Sequence, residues 1–565
     1  MRNFRVLAAF TWACATLLIA SLASAQMSVE RVKVIDARLQ QIKAAYDKLP
    51  PTQQKMLDGY ANVIQLAGVW HQYGMGFAEA SIQARLNLMA GGPAIDLVNG
   101  PSTSVSPVSD PSTDMMFSAF AGFTQSESST ARCGNNVVVG FNDSGSIFET
   151  GFFSGGGLSF SGVAVSTDGG QSFKDLGPTP PGPAPNFVIG DPGVNCSDSS
   201  TFYYSQLFST ADASGNPISA IALSKSVDGG QTWGDPVAAV SKDGFTHLLD
   251  KSWSAIDPVQ TNRIYVSYTD FDFSFTNPAC PNNVRTAIEF VASSDGGSTW
   301  TKPRVAIEVC GNSAVQGSQL AVDSHRTLHV AWDNLGNNFP ISIRHIQVSA
   351  FPMGGAGTPP VIASSHVPGG DSFFLQGEYR DFLGVAMAVD RSGTATDGTL
   401  YITWGDGRDK RVHDPFGTNG AYSYDDVLLV SSVDGGSTWG APVKVNTDKQ
   451  PSTGVGHDHY QPAIAVDPTG KVGVCWYDRR DDTENFSIEH FCGESTTAGL
   501  TWTNTNLGVP GFAPTHGEDI VVNGVYMGDY DTLVSDFTRA NTGFIGAFQV
   551  QGNRGNPDVK AVSFQ

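Results

Sequence analysis

Four short stretches of the chain concentrate side chains that can move a proton or hold an anion: Asp250-Lys251-Ser252-Trp253, Glu378-Tyr379-Arg380-Asp381, His457-Asp458-His459-Tyr460 and Gly528-Asp529-Tyr530. A second set ends apolar runs: Asp270 and Asp272, Asp333, Asp406 with Arg408, and Tyr477-Asp478-Arg479-Arg480. Glu378, Asp458 and Asp529 suit general acid or base work, and Tyr460 or Tyr530 could transfer a proton or attack an electrophile if a carboxylate sits beside it. Arg380, Arg408 and Arg480 could form a fork for a substrate carboxylate, because guanidinium binds it bidentately. Trp253 and His459 are candidates for stacking on or bonding a sugar. The structural alternative is that W-x-D and D-x-R ends are turn caps and ion pairs, and their repetition favours it for Asp333, Asp406 and Asp478. His457 and His459 with one aspartate lack a further ligand, so a surface loop is preferred to a metal site. No metal site and no cofactor is expected, with a structural calcium left open.

These stretches are positioned by a repeat. Ser166-Thr167-Asp168-Gly169-Gly170-Gln171-Ser172-Phe173 recurs as Ser226 to Trp233, Ser293 to Trp300 and Ser432 to Trp439, with a worn copy from Ser495 to Trp502 that has Thr497 in place of Asp. The first four aspartates fall 60, 67 and 139 residues apart, so one repeat between Asp295 and Asp434 has lost its copy. Asp-Gly-Gly makes a tight turn, since Asp accepts backbone N–H groups and Gly supplies positive φ. The aromatic residue that closes the motif can wedge between neighbouring sheets. Before each turn lie two apolar alternations joined by D-x-x-G, best seen from Ala463 to Asp478 and again at Ser254–Asp270, Gln319–Asp333 and Val385–Asp406. Weaker versions surround Val137–Asp143, Thr201–Gln206 and Asp531–Phe548. The units number seven, with six as the alternative, and each reads as four antiparallel strands: an all-β propeller spanning residues 115–565. In such a blade the turns after strands 1 and 3 share one face, and the candidate residues collect on the other.

Charged residues are only 15% of the chain, while 63 Gly, 31 Pro and 10% aromatics suit short strands and turns. Residues 1–25 carry Arg2 and Arg5, an apolar run and Ala23-Ser24-Ala25, and read as a signal peptide cut after Ala25, which implies a secreted or periplasmic protein. Residues 26–95 show helical spacing on both sides of Pro50-Pro51 and read as a helical hairpin, joined to the propeller by a linker at 96–114. A formal charge of −21 makes nucleic acid an improbable partner, and no later stretch is apolar enough to span a membrane. After loss of Cys14, six cysteines remain. Pairing of nearest neighbours (Cys133 with Cys196, Cys280 with Cys310, Cys475 with Cys492) is expected among the fifteen possible connectivities.

The S-x-D-x-G-x-T-W repeats resemble the Asp box, or bacterial neuraminidase repeat, of the sialidase-like propellers, and the resemblance covers roughly four fifths of the chain. It implies a secreted propeller acting on an extracellular glycan or glycoconjugate, with a glycoside hydrolase as the first reading. A noncatalytic glycan- or protein-binding propeller and a polysaccharide lyase are the alternatives. Sialidases hold the substrate carboxylate with three arginines and use Tyr activated by Glu, with Asp as acid/base. By that resemblance the arginines would be Arg380, Arg408 and Arg480, the tyrosine Tyr460 or Tyr530, and the carboxylates Glu378, Asp458 or Asp529. No Arg-Ile-Pro segment opens the repeats, where sialidases carry one, and this argues against sialoside cleavage itself.

Overall fold

A computed structural model describes residues 104–109, 124–151, 156–336, 344–370, 374–376, 379–380, 385–411, 422–451, 454–512, 514, 527–537, 543–551 and 557–564. The expected signal peptide and helical hairpin lie outside these residues.

Period-2 alternation in the repeat yields short antiparallel strands, and seven blades of four antiparallel strands result, one of them extended by a fifth strand. The innermost strands are Gln125–Cys133, Phe187–Cys196, His247–Ile256, Ala314–Val322, Ala386–Val389, His459–Val466 and Thr532–Ser535, opening blades 1 to 7. Each packs against the next, and the seventh packs against the first, which closes a ring. The molecule is a seven-bladed β-propeller, as the repeat count predicts, and among the described residues its helical element is Ser146–Glu149.

Strand 2 of each blade is buried on both sides. In blade 6 every residue from Val472 to Asp478 is buried, and Trp332, Trp404 and Trp476 occupy the same place in blades 4, 5 and 6. A Val, Leu or Ile withdrawn from water in this way contributes about 1.5–3 kcal/mol. The Ser-x-Asp-Gly-Gly motif joins strands 3 and 4. In blade 3, Ser293 Oγ donates to Asp295 Oδ1 at 2.8 Å, and the same carboxylate accepts the Thr299 N–H at 2.9 Å. Hydrogen bonds from the Thr299 hydroxyl and N–H hold the Asp295 carboxyl at about 2. The Trp300 indole donates to Gly297 O at 3.1 Å and packs into the core shared with blade 2, the wedge foreseen from sequence. In the worn copy the Thr497 hydroxyl replaces the carboxylate and accepts the Thr501 N–H at 2.9 Å, so the turn survives the loss of its aspartate.

Two features depart from the repeat. The outer strand of blade 7 is Ser104–Pro107, inside the segment read as a linker. It pairs with Pro557–Phe564 and joins the two ends of the propeller. Leu158–Ser159, from an excursion in blade 1, adds a parallel fifth strand to blade 2. Disulfides link Cys133 to Cys196, Cys280 to Cys310 and Cys475 to Cys492, the three nearest-neighbour pairs. Among the described residues no helix is long and apolar enough to cross a membrane.

Candidate functional site

On the face opposite the Asp-Gly-Gly turns, the inner strands share one irregularity. In blades 1, 2, 3, 4 and 6 the register with strand 2 shifts at the same point, between Ser126 and Ser129, Gly190 and Gly193, Asp250 and Trp253, Gln316 and Gln319, and Tyr460 and Ala463. Within each bulge one residue takes a left-handed backbone: Glu127 (φ 52°), Asp191 (φ 55°), Lys251 (φ 51°), Gly317 (φ 68°) and Gln461 (φ 51°). Non-glycine residues resist this conformation, and bulges that re-aim side chains concentrate at rims and sites. Three of the five carry charge, and those three meet.

Lys251 Nζ lies 2.9 Å from Glu127 Oε1, 2.7 Å from Asp529 Oδ2 and 3.9 Å from Asp191 Oδ2. Blades 3 and 7 are not neighbours, so the lysine reaches across the mouth of the central channel. Asn142 Nδ2 donates to Glu127 Oε2 at 2.9 Å and Asn142 Oδ1 accepts the Asp191 N–H at 2.8 Å, tying the two acids together. Asp250 stands beside the lysine and accepts from Gln316 Nε2 at 2.7 Å. Gly528 lets blade 7 come this close, since a Cβ there would sit 2.5 Å from Glu127 Cγ. Burial pushes the Asp191 carboxyl well above the ordinary range, against the pull of Lys251 and with the push of Glu127 and Asp250. The Asp250 carboxyl is raised by burial too. Glu127 and Asp529 carry the direct ion pairs. The mouth therefore sets two buried carboxyls driven toward the protonated form, Asp191 and Asp250, beside two carboxyls in direct contact with the lysine, Glu127 and Asp529.

Of the residues expected from sequence, Asp529, Tyr530 and Trp253 belong to this cluster. The Trp253 and Tyr530 rings meet edge to face at 5.3 Å, Lys251 Nζ lies 5.2 Å from the Tyr530 ring centre, and the Tyr530 hydroxyl donates to Pro192 O at 3.0 Å.

Asp458, Tyr460 and His459 are placed elsewhere, buried between blades 5 and 6. Asp458 accepts from the Tyr422 hydroxyl and from Asn485 Nδ2, both at 2.6 Å, and Arg479 lies 5.2 Å from the Tyr460 ring centre. His459 Nε2 is 3.2 Å from Asp448 and 3.6 Å from Asp478. Burial alone would lower the imidazole, but Asp478 and Asp448 raise it. Arg408 and Arg480 are each clasped by an aspartate of their own blade, Asp406 and Asp478, whose second partners are the Trp404 and Trp476 indoles. Glu378 and the Arg380 side chain lie outside the description; the Arg380 backbone pairs with Phe374 in a two-stranded ribbon. Among the described residues no group of His, Cys, Asp and Glu is arranged to hold a metal ion.

Glu127, Asp191 and Asn142 were not foreseen. Glu127 lies among serines with no repeat signature, and Gly190-Asp191-Pro192-Gly193 reads as a plain turn. The positive-φ bulge that gives both their role has no sequence mark outside glycine.

Fold and face together define a seven-bladed β-propeller with an acidic, lysine-bridged channel mouth. No family model matches the chain, and no curated protein matches it. Among solved structures it is similar to the Hadza microbial sialidase Hz136, with 13% identity over 66% of this chain and 65% of that one and a TM-score of 0.38. It is also similar to the α-L-arabinofuranosidase of Fusarium graminearum with arabinobiose, with 11% identity, 68% and 96% coverage and a TM-score of 0.40. A third is Trypanosoma rangeli sialidase, with 10% identity, 72% and 60% coverage and a TM-score of 0.36. The chain thus spans less than two thirds of either sialidase.

Proposed function

We propose that this is a secreted glycan-acting propeller that hydrolyses glycosidic bonds at the channel mouth. The carrying observation is the convergence on Lys251 of Glu127, Asp191, Asp250 and Asp529 from four blades. Glycoside hydrolysis needs one carboxylic acid to protonate the leaving oxygen and one carboxylate to attack, or to activate water, on the other side of the sugar. Asp191 and Asp250, raised by burial, suit the acid; Glu127 and Asp529, each within ion-pair distance of Lys251, suit the carboxylate. Trp253 and Tyr530 would line the sugar's apolar face. In this reading Asp458, Tyr460, His459, Arg408 and Arg480 support the face and do not contact substrate.

Lys251 also favours a second reading. A cation that bridges the acids across the mouth could leave a binding surface without chemistry.

The test is product release by the purified protein from sialosides, uronate polysaccharides and neutral glycans, with Glu127→Gln and Asp529→Asn beside it. At least one of the two should lower kcat by about 100-fold or more while KM moves little. Release unchanged in both variants would remove the crown from catalysis. An unsaturated product would mark elimination, and binding without release by the unaltered protein would establish the noncatalytic propeller.

A further inference from the structure

Blade 3 carries a second feature on the same face. Its strand 2 runs out through Asp270-Phe271-Asp272-Phe273-Ser274-Phe275, alternating polar and phenyl side chains. Phe271 and Phe273 stack with ring centres 6.5 Å apart and planes 10° from parallel. Phe273 is 37% exposed, Phe275 53% and Phe245, on the incoming turn, 62%. The two segments are joined where the Phe273 N–H donates to Thr246 O at 2.8 Å.

Such a patch ordinarily collapses or is replaced by polar residues, yet here it is held open. Phe275 adopts a left-handed backbone (φ 59°), costly for a bulky side chain, and its carbonyl accepts the Asn282 N–H at 3.1 Å. Asp272 fixes the loop base through the Ser274 N–H at 2.8 Å and Asn277 Nδ2 at 3.0 Å, and the Cys280–Cys310 disulfide pins the far side. Rigid exposed aromatics lose little freedom when a ligand lands on them.

The surroundings select the ligand. The cations beside the loop are already taken: Lys242 by Asp270 and Glu289, and Arg285 by Asp270, Glu289 and Glu308. At the channel mouth on the same face Lys251 is likewise engaged, by Glu127 and Asp529. A uronate, sialoside, nucleic acid or anionic membrane would have to displace these acids from their cations, which leaves an uncharged sugar chain as the complementary occupant.

We infer that Phe273, Phe275 and Phe245 form a stacking subsite for a neutral polysaccharide. The subsite rests on the glycan reading of the channel mouth. Along the paired strands the phenyl groups lie roughly 13 Å from the level of Asp250, at about 3.4 Å per residue, so one short oligosaccharide could reach both.

Retardation in native gels cast with arabinan, xylan, a mixed-linkage β-glucan or polygalacturonate would test this. The protein would be used unaltered, as the Phe273→Ser/Phe275→Ser double variant and as Glu127→Gln. The expected result is retardation by at least one neutral polymer and not by polygalacturonate, weakened about tenfold or more in the double variant with Tm unchanged. Equal retardation of the double variant and the unaltered protein overturns the subsite, as does retardation by polygalacturonate alone or by none of the polymers. Product release separates the two proposals: if Glu127→Gln and Asp529→Asn both still release product, the catalytic reading fails, while retardation weakened in the phenylalanine double variant leaves the subsite standing.

Discussion

Asp531 illustrates how this propeller handles buried charge at the single residue. It is fully buried between blades 6, 7 and 1, accepts the Ser128 hydroxyl at 2.6 Å and pairs with the Tyr477 hydroxyl. Burial raises its carboxyl to about 7 in spite of these bonds. In the unfolded chain the group titrates near 3.8. Between those values the folded state binds the extra proton, so this residue's contribution to stability is full at low pH and falls as pH rises from about 4 to about 7. Asp531→Asn should flatten the pH dependence of Tm across that window, measured by thermal melts at half-unit steps. An unchanged slope would mean that the group is not protonated in the fold. The same physics acts at the channel mouth, where burial drives Asp191 and Asp250 toward neutrality while Glu127 and Asp529 contact Lys251 directly.

At the scale of the element, the Asp-Gly-Gly turn and the inner-strand bulge show unequal legibility. The turn was readable because its chemistry is local: one carboxylate, two glycines with positive φ and an aromatic side chain, all within eight residues. Even the copy with Thr497 keeps the fold, through a weaker hydroxyl acceptor. Thr497→Asp should therefore raise Tm by a few degrees, since an aspartate accepts the Ser495 hydroxyl and Thr501 N–H as an anion and such local optimisation is commonly stabilising. Differential scanning calorimetry of the single variant reads the shift, and a fall in Tm would show that the threonine is fitted to its site. The bulge was not readable. Its left-handed position holds Glu, Asp, Lys, Gly or Gln in different blades, and only pairing with strand 2 forces the extra residue outward.

Across the whole molecule, closure depends on a strand far from its partners in sequence. Ser104 pairs with Ser563 and Pro107 with Lys560, so the first described strand completes the last blade. A protein truncated so that it begins after Pro107 should melt several degrees lower, because an edge strand loses its partner and the ring can open between blades 7 and 1. Hydrogen exchange should quicken first in residues 557–564 and 125–133. Exchange and Tm equal to those of the full chain would show that the blade contacts alone close the ring.

The amino-acid sequence by itself determined the architecture: seven repeats of two alternating pairs, the turns between them, and the nearest-neighbour disulfides, all set by interactions within a few tens of residues. It also placed Trp253, Asp529 and Tyr530 on the face where they are found, because strand direction follows from repeat order. Which residues meet was decided only by the tertiary structure. Lys251, Glu127 and Asp529 belong to blades 3, 1 and 7, and their distances depend on ring closure and on bulges imposed by sheet pairing. Arg408 and Arg480 read from sequence either as a fork for a carboxylate or as ion pairs of the D-x-R ends, and in the fold each pairs with the aspartate two residues before it, Asp406 or Asp478. Local physics writes itself into spacing; contacts across a ring do not.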